Sequence, residues 1–349
     1  VIVKTDIQNN IYESDDDNNS TYSASVLNVN VDELIMDVLT PDILDDYKDL
    51  YYRIEIPAGL LGETMLLTLK GDSINGSNEF YVKYNEMPTR VDYDYSHENP
   101  FDGNQQILIP NIKAGTYYLL VYGNTVVGTQ QDISLLAKIL DFEVLSIDAN
   151  VGGNTGSITV RIRGSKFSDF MGVRLESATD TIVATDVTFV DPTEVFAEID
   201  LTGVSLGLYD VVAVGEGPIR VSGYGTSYVF ETATLYDGFE VVLGSPPDLQ
   251  VNLIQPSNVR TNQIVSMSIE FTNSGNVDIE APLLILSSFV GAPLSFDVSG
   301  LNNMITELEI VLFEPGGPPG VIRPGFSGSI VVYSRSTSGL GFSLLIPNN

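Results

Sequence analysis

Along most of the chain apolar and polar residues alternate, and helical spacing is scarce. Tyr51-Tyr-Arg-Ile-Glu-Ile56, Met65-Leu-Leu-Thr-Leu69, Ile158-Thr-Val-Arg-Ile162 and Ser266-Met-Ser-Ile-Glu-Phe271 carry β-branched, aromatic or aliphatic side chains at period two. That is the period of strands with one face turned inward. Clusters of Gly, Pro, Asn and Asp break these runs at short intervals, as in Gly152-Gly-Asn-Thr-Gly156, Gly244-Ser-Pro-Pro247 and Gly316-Gly-Pro-Pro-Gly320. Such punctuation predicts tight connections between antiparallel strands. Residues 32–39 are the best candidate for a helix, and a short one. The pattern predicts an all-β chain, and 349 residues are roughly three times the ~100 residues of one sandwich. Tandem β-sandwich modules follow.

Composition narrows the function. A hydrophobic fraction of 43% supplies material for several cores. With no cysteine there is no disulfide framework, thiolate metal site or cysteine nucleophile, although this does not fix the compartment. The 46 acidic against 16 basic residues give a net charge of −30, which repels phosphate backbones and anionic lipid faces and argues against a nucleic-acid partner. No run reaches the roughly 20 apolar residues of a membrane-spanning helix, so membrane insertion is not expected. The chain starts without a basic and apolar leader, and any secretion signal is expected upstream or already removed.

Boundaries are read near residues 30, 141 and 245. Residues 31–141 carry Tyr51-Tyr-Arg-Ile-Glu-Ile-Pro57, Phe80-Tyr-Val-Lys-Tyr-Asn-Glu-Met-Pro-Thr89 and Gly115-Thr-Tyr-Tyr-Leu-Leu-Val-Tyr-Gly123. On these motifs the segment resembles the bacterial pre-peptidase C-terminal (PPC) domain, a jelly-roll-like sandwich. In the third motif Gly115 permits a tight turn into a strand, and the tyrosines alternate with aliphatics between core and outer face. Residues 142–245 open with Phe142-Glu-Val and close with Phe239-Glu-Val, read as the first and last strands of one module. Gly156-Ser-Ile-Thr-Val160, Gly164-Ser-Lys-Phe167, Ala197-Glu-Ile-Asp-Leu201 and Gly207-Leu-Tyr-Asp-Val-Val212 are similar to the immunoglobulin-like TIG/IPT family. Residues 215–237 exceed that pattern as an extra Gly- and Tyr-rich hairpin. In residues 246–349, Asp248-Leu-Gln-Val-Asn-Leu253, Thr272-Asn-Ser-Gly-Asn276 and Pro324-Gly-Phe-Ser-Gly328 resemble the CARDB-like adhesion domains of bacterial exoproteins. Residues 1–30, with Thr5-Asp-Ile-Gln-Asn-Asn-Ile-Tyr-Glu13 and Asn18-Asn19, resemble the terminal strands of a domain of the same type.

Catalytic constellations are not recognisable. The single histidine, His97, follows Ser96, but neighbours on a strand point to opposite faces and cannot form a nucleophile–base pair. P-loop, dinucleotide and HExxH motifs are missing. Calcium is the one cofactor with a case. Asp15, Asp16 and Asp17 concentrate hard oxygen ligands, as do Asp42, Asp45 and Asp46 with Asp49, though neither stretch has EF-hand spacing. A solvated acidic loop accounts for the same residues. Tyr81, Tyr84, Tyr93 and Tyr95 are candidates for an external ligand face, and strand-face or core packing is the competing reading.

These resemblances imply a non-catalytic structural or adhesive segment of a large secreted or cell-surface bacterial protein. Its partners would be other copies or neighbouring modules, arrayed head to tail as a fibre. Near the start of the chain, strands at 1–5 and 22–31 flank the acidic loop, and they would dock on the C-terminal module of a preceding copy or, in a longer tandem polypeptide, on the domain that precedes them covalently. The other function implied is that of polymer-binding accessory modules, with a collagen-like or glycan ligand, in a secreted hydrolase.

Overall fold

The computed structural model describes residues 2–4, 20–22, 31–72, 76–126, 128–215, 220–222, 225–227, 230–336 and 341–347. All its regular structure is β apart from short 3-10 turns, so the all-β sandwich architecture holds. Two compact units are present, residues 1–61, 66–107 and 113–138 in one and 62–65, 108–112 and 139–349 in the other.

Between residues 32 and 140 two sheets face each other. One runs, in hydrogen-bonded order, Asp32–Glu33, Asp49–Ile56, Gly115–Thr125, Ser77–Tyr84, Tyr95–Ser96, and the other Thr40–Asp45, Gln130–Leu140, Thr64–Lys70, Gln105–Ile109. Period-two side chains supply the core: Tyr52, Ile54 and Ile56 from one strand, Met65, Leu67 and Leu69 from another, all buried. The Gly115 motif forms the central strand and departs from simple alternation. Leu120, on the outer face opposite Tyr51 and Tyr81 in register, is as buried as the core-facing Leu119 and Val121. Gly115 itself has φ +134° where the chain turns into that strand, a conformation that side chains disfavour.

No helix forms over residues 32–39. Asp32–Glu33 pairs in parallel with Asp49–Ile56, and Asp37 takes φ +61° while its amide donates to the Ala137 carbonyl at 2.8 Å. Leu34 is buried, whereas Ile35, Val38 and Leu39 are exposed. The helical spacing was a coincidence of one anchor and three surface residues, and pairing to existing strands outcompetes a helix too short to propagate.

Within the second unit, residues 143–242 form a four-stranded sheet, Glu143–Asp148, Ser157–Ser165, Glu194–Asp200, Asp186–Asp191, and a five-stranded one, Val151–Gly153, Glu231–Val242, Gly207–Gly215, Gly172–Glu176, Thr181–Val183. Phe142 and Phe239 both enter the core between these sheets. The extra hairpin contains a two-stranded ribbon, Arg220–Ser222 with Gly225–Ser227. Residues 249–345 build another sandwich from the sheet Leu249–Ile254, Ile264–Asn273, Ser327–Arg335, Leu294–Ser295 and the sheet Glu307–Val311, Leu283–Ser288, Phe342–Leu345. Met267, Ile269, Phe271, Leu284, Leu286 and Val332 fill it. Two sequence motifs meet at one corner there. The Asn273 amide group donates to the Val277 and Ile322 carbonyls, both at 2.9 Å, and the Gly325 amide donates to the Asn273 carbonyl at 2.8 Å.

Candidate functional site

The structure divides the four candidate tyrosines. Tyr81 lies on the outer face of Ser77–Tyr84, with its ring 4.9 Å from that of Tyr93 and 5.2 Å, edge-on, from His97. Its hydroxyl donates to Glu79 at 2.8 Å, and Arg90 clamps the same carboxylate with two bonds of 2.6 Å while lying 4.0 Å over the Tyr122 ring. Burial, followed by the carboxylate it faces, pushes the Tyr81 pKa up to about 12. Tyr84 points the other way. It packs 5.0 Å from Tyr117 and donates to the Ala114 carbonyl at 2.6 Å. Tyr95 stands opposite Val82 in register, on the core side, because directly opposed residues of antiparallel strands share a face. Of the four, Tyr81 and Tyr93 come together, with only Tyr93 well exposed. Tyr81 and Tyr84 spend their hydroxyls on the fold, and this segment explains the buried Leu120: the 85–97 connection covers the outer face.

His97 is held likewise, its Nδ1 3.2 Å from the Phe80 amide nitrogen, and Ser96 belongs to the short strand opposite Tyr81.

The acidic residues are used singly. Asp42 accepts from the Tyr52 hydroxyl and the Ile43 amide, both at 2.7 Å, Asp45 from the Gln130 side chain at 3.2 Å, and Asp46 from the Val126 amide at 3.1 Å. Among the described residues no three acidic or histidine side chains converge as a metal site. Asp15, Asp16 and Asp17 lie outside the described residues. Burial and then the Asp42 hydrogen bond hold the Tyr52 hydroxyl well above its usual pKa. Tyr52→Phe is therefore expected to cost about 1 kcal/mol, one net hydrogen bond whose abandoned acceptor can still reach water. A urea midpoint unchanged from the parent would contradict this.

At the other end of the chain, Ile2–Lys4 pairs antiparallel with Ser20–Tyr22, in the register Ile2 with Tyr22, and among the described residues this sheet has two strands. Of the expected second strand at 22–31, Tyr22 lies in Ser20–Tyr22, and residues 23–30 lie outside the described residues.

Sequence reasoning missed a polar joint inside the second unit. The turn at 276–278 of the C-terminal sandwich hydrogen-bonds to the sandwich before it: the Gly153 amide donates to the Asn276 carbonyl at 2.7 Å, and the Asp278 amide to the Ser157 carbonyl at 2.9 Å. Asn276 also accepts from the Ser245 amide at 2.9 Å and donates to the Leu243 carbonyl at 3.0 Å, pinning the linker. The Thr159 hydroxyl donates to Asp278 Oδ2 at 2.6 Å. Arg323, buried and paired with Glu314, reaches Asp148 at 3.3 Å and lies 5.6 Å from the Phe196 ring centre. Asn276 stood in a recognised motif, but Asp278 and Arg323 carry no local signal, because their partners are distant in sequence.

No family model matches this chain, and no curated protein does. Solved structures that align with it include a protein described as membrane anchored from Corynebacterium diphtheriae, 9% identical, covering 90% of this chain and 85% of that one, TM-score 0.19. Another is the BSP domain of a biofilm associated protein, 8% identical, covering 89% of this chain and 61% of that one, TM-score 0.19. Superpositions this poor do not bear on what the chain does. Among the described residues no helix is long and apolar enough to cross a membrane.

Proposed function

We propose that this chain is a non-catalytic structural segment of a secreted or cell-surface protein, built of sandwich modules like the PPC, TIG and CARDB-like domains its motifs resemble, and that it joins other copies head to tail through residues 1–30. The observation behind the reading is the ribbon Ile2–Lys4 with Ser20–Tyr22, a sheet of two strands among the described residues. Two strands alone are marginal in water; a third strand or an apolar face must complete them. An array of heterologous contacts does not close unless its rotation happens to, so a filament follows. The internally bonded hydroxyls of Tyr81 and Tyr84 and the singly used Asp42, Asp45 and Asp46 favour this reading over a ligand-binding one. Removal of residues 1–30 is expected to convert concentration-dependent assemblies into monomers in light scattering, while the melting of the remaining modules stays in place. Monomers at every concentration for the full chain would reject the assembly.

A further inference from the structure

We propose that the joint between the sandwich of residues 143–242 and that of residues 249–345 is a proton-sensitive latch, closed by Asp278 of the latter on Thr159 of the former and tightened by mild acid. The inference is independent of the assembly through residues 1–30.

The geometry has three parts. First, the latch lies among backbone bonds that exist only while the joint is closed, those donated by the Gly153 and Asp278 amides. Second, closing it buries a carboxylate with incomplete compensation. Asp278 Oδ2 has the Thr159 hydroxyl, but Oδ1 is buried with no hydrogen-bond partner, and Thr159 itself is buried. Third, the charges around it conflict. On the strand next to Thr159, Glu198 stands directly opposite in register and repels Asp278. Arg323, which follows the short strand paired to residues 279–280, attracts it, yet that guanidinium is already engaged by Glu314 and Asp148, and its Nη1 is buried with no partner. A neutral Asp278 would leave the Thr159 contact in place and end the repulsion from Glu198, so the closed joint buries no uncompensated charge.

The energetic sense is the reverse of an ordinary salt-bridged carboxylate. Burial raises the Asp278 pKa to about 6 from 3.8, against the pull of Thr159 and Arg323. The closed joint therefore binds a proton more tightly than the open one. Its closure is most favourable below the open-state value and weakens as pH rises through about 6. Taking those two values, closure is expected to strengthen about tenfold between pH 7.5 and pH 5.

Hydrogen exchange of the full-length chain tests this, read as protection factors so that the intrinsic pH dependence of exchange is removed. Protection of the Gly153 and Asp278 amides should rise about tenfold from pH 7.5 to pH 5, while amides within the strands Gly207–Gly215 and Ser327–Arg335 hold steady as internal references. Asp278→Asn, neutral at both pH values, should flatten the response, followed at Gly153. Thr159→Val, which removes a contact that favours the charged form, should move the midpoint of the response upward. An equal pH response in the parent and in Asp278→Asn would overturn the latch, because the relaxation of a −30 chain would then suffice. So would a Thr159→Val chain that loses protection evenly without a shifted midpoint, since that marks a contact with no proton linkage.

Discussion

Glu314→Gln is expected to destabilise the C-terminal sandwich by about 3 kcal/mol or more, the cost of leaving a buried charge without its partner. The Arg323 and Glu314 side chains are 9% and 5% exposed, and the Arg323 Nε lies 3.1 and 3.2 Å from the two carboxylate oxygens. Glutamine keeps the shape and one acceptor but removes the charge. Burial works against the guanidinium charge, and the Glu314 carboxylate more than offsets it, so the Arg323 pKa stands above its usual value. Asp148 remains, but it is 66% exposed and its charge is screened. Because buried ion pairs contribute little over an apolar replacement of both partners, the double variant Glu314→Leu, Arg323→Met should recover most of the loss. Urea unfolding followed at residues 321–332 reads both variants. If the double variant is no more stable than Glu314→Gln, the cost lies in packing and the explanation by uncompensated charge fails.

The same residues show what a sequence can and cannot disclose. Residues 51–56, 65–69, 158–162 and 266–271 are strands because a period-two pattern is local: each side chain needs only to know which face of its own strand is buried. Residues 32–39 misled for the same reason, since four apolar residues at helical spacing do not reveal that three stay exposed while the backbone hydrogen-bonds to Arg53 and Ala137. Glu314 and Arg323 are nine positions apart around a Gly-Pro turn, and Thr159 and Asp278 are 119 apart. Neither pair has a spacing to recognise. The tyrosines were visible as residues but not as roles. Tyr81 and Tyr84 are three positions apart on one strand, which by alternation alone sends them to opposite faces, yet the clamp of Tyr81, Glu79 and Arg90 depends on a connection folding back over the sheet. The acidic stretch at 42–46 was similarly legible as charge but not as three separate hydrogen-bonding duties.

Gly164→Ala is the second large effect expected, and it separates two reasons for which a fold retains glycine. Gly164 sits near the end of Ser157–Ser165, opposite Val144, next to the irregularity in register between Val144 and Ser146. A Cβ there would collide with the Glu143 carbonyl oxygen and lie 2.5 Å from the Phe167 ring. The first obstacle is backbone and cannot rotate away. The second is a buried ring packed edge-on against Phe142 with centroids 6.2 Å apart, so moving it disturbs the core at two points. The strand pair must therefore separate or Phe167 must leave, and the cost is expected at the upper end of the ~1–3 kcal/mol typical of overpacking. Gly203 provides the contrast. It has φ +75° with nothing within 4 Å of a Cβ, so Gly203→Ala meets only the left-handed backbone penalty of about 1 kcal/mol. Unfolding of the 143–242 sandwich, followed by hydrogen exchange in its core strands, should rank the two variants in that order. Equal losses would mean that the pairing at Gly164 yields to a methyl group, and that its place in the motif is not steric.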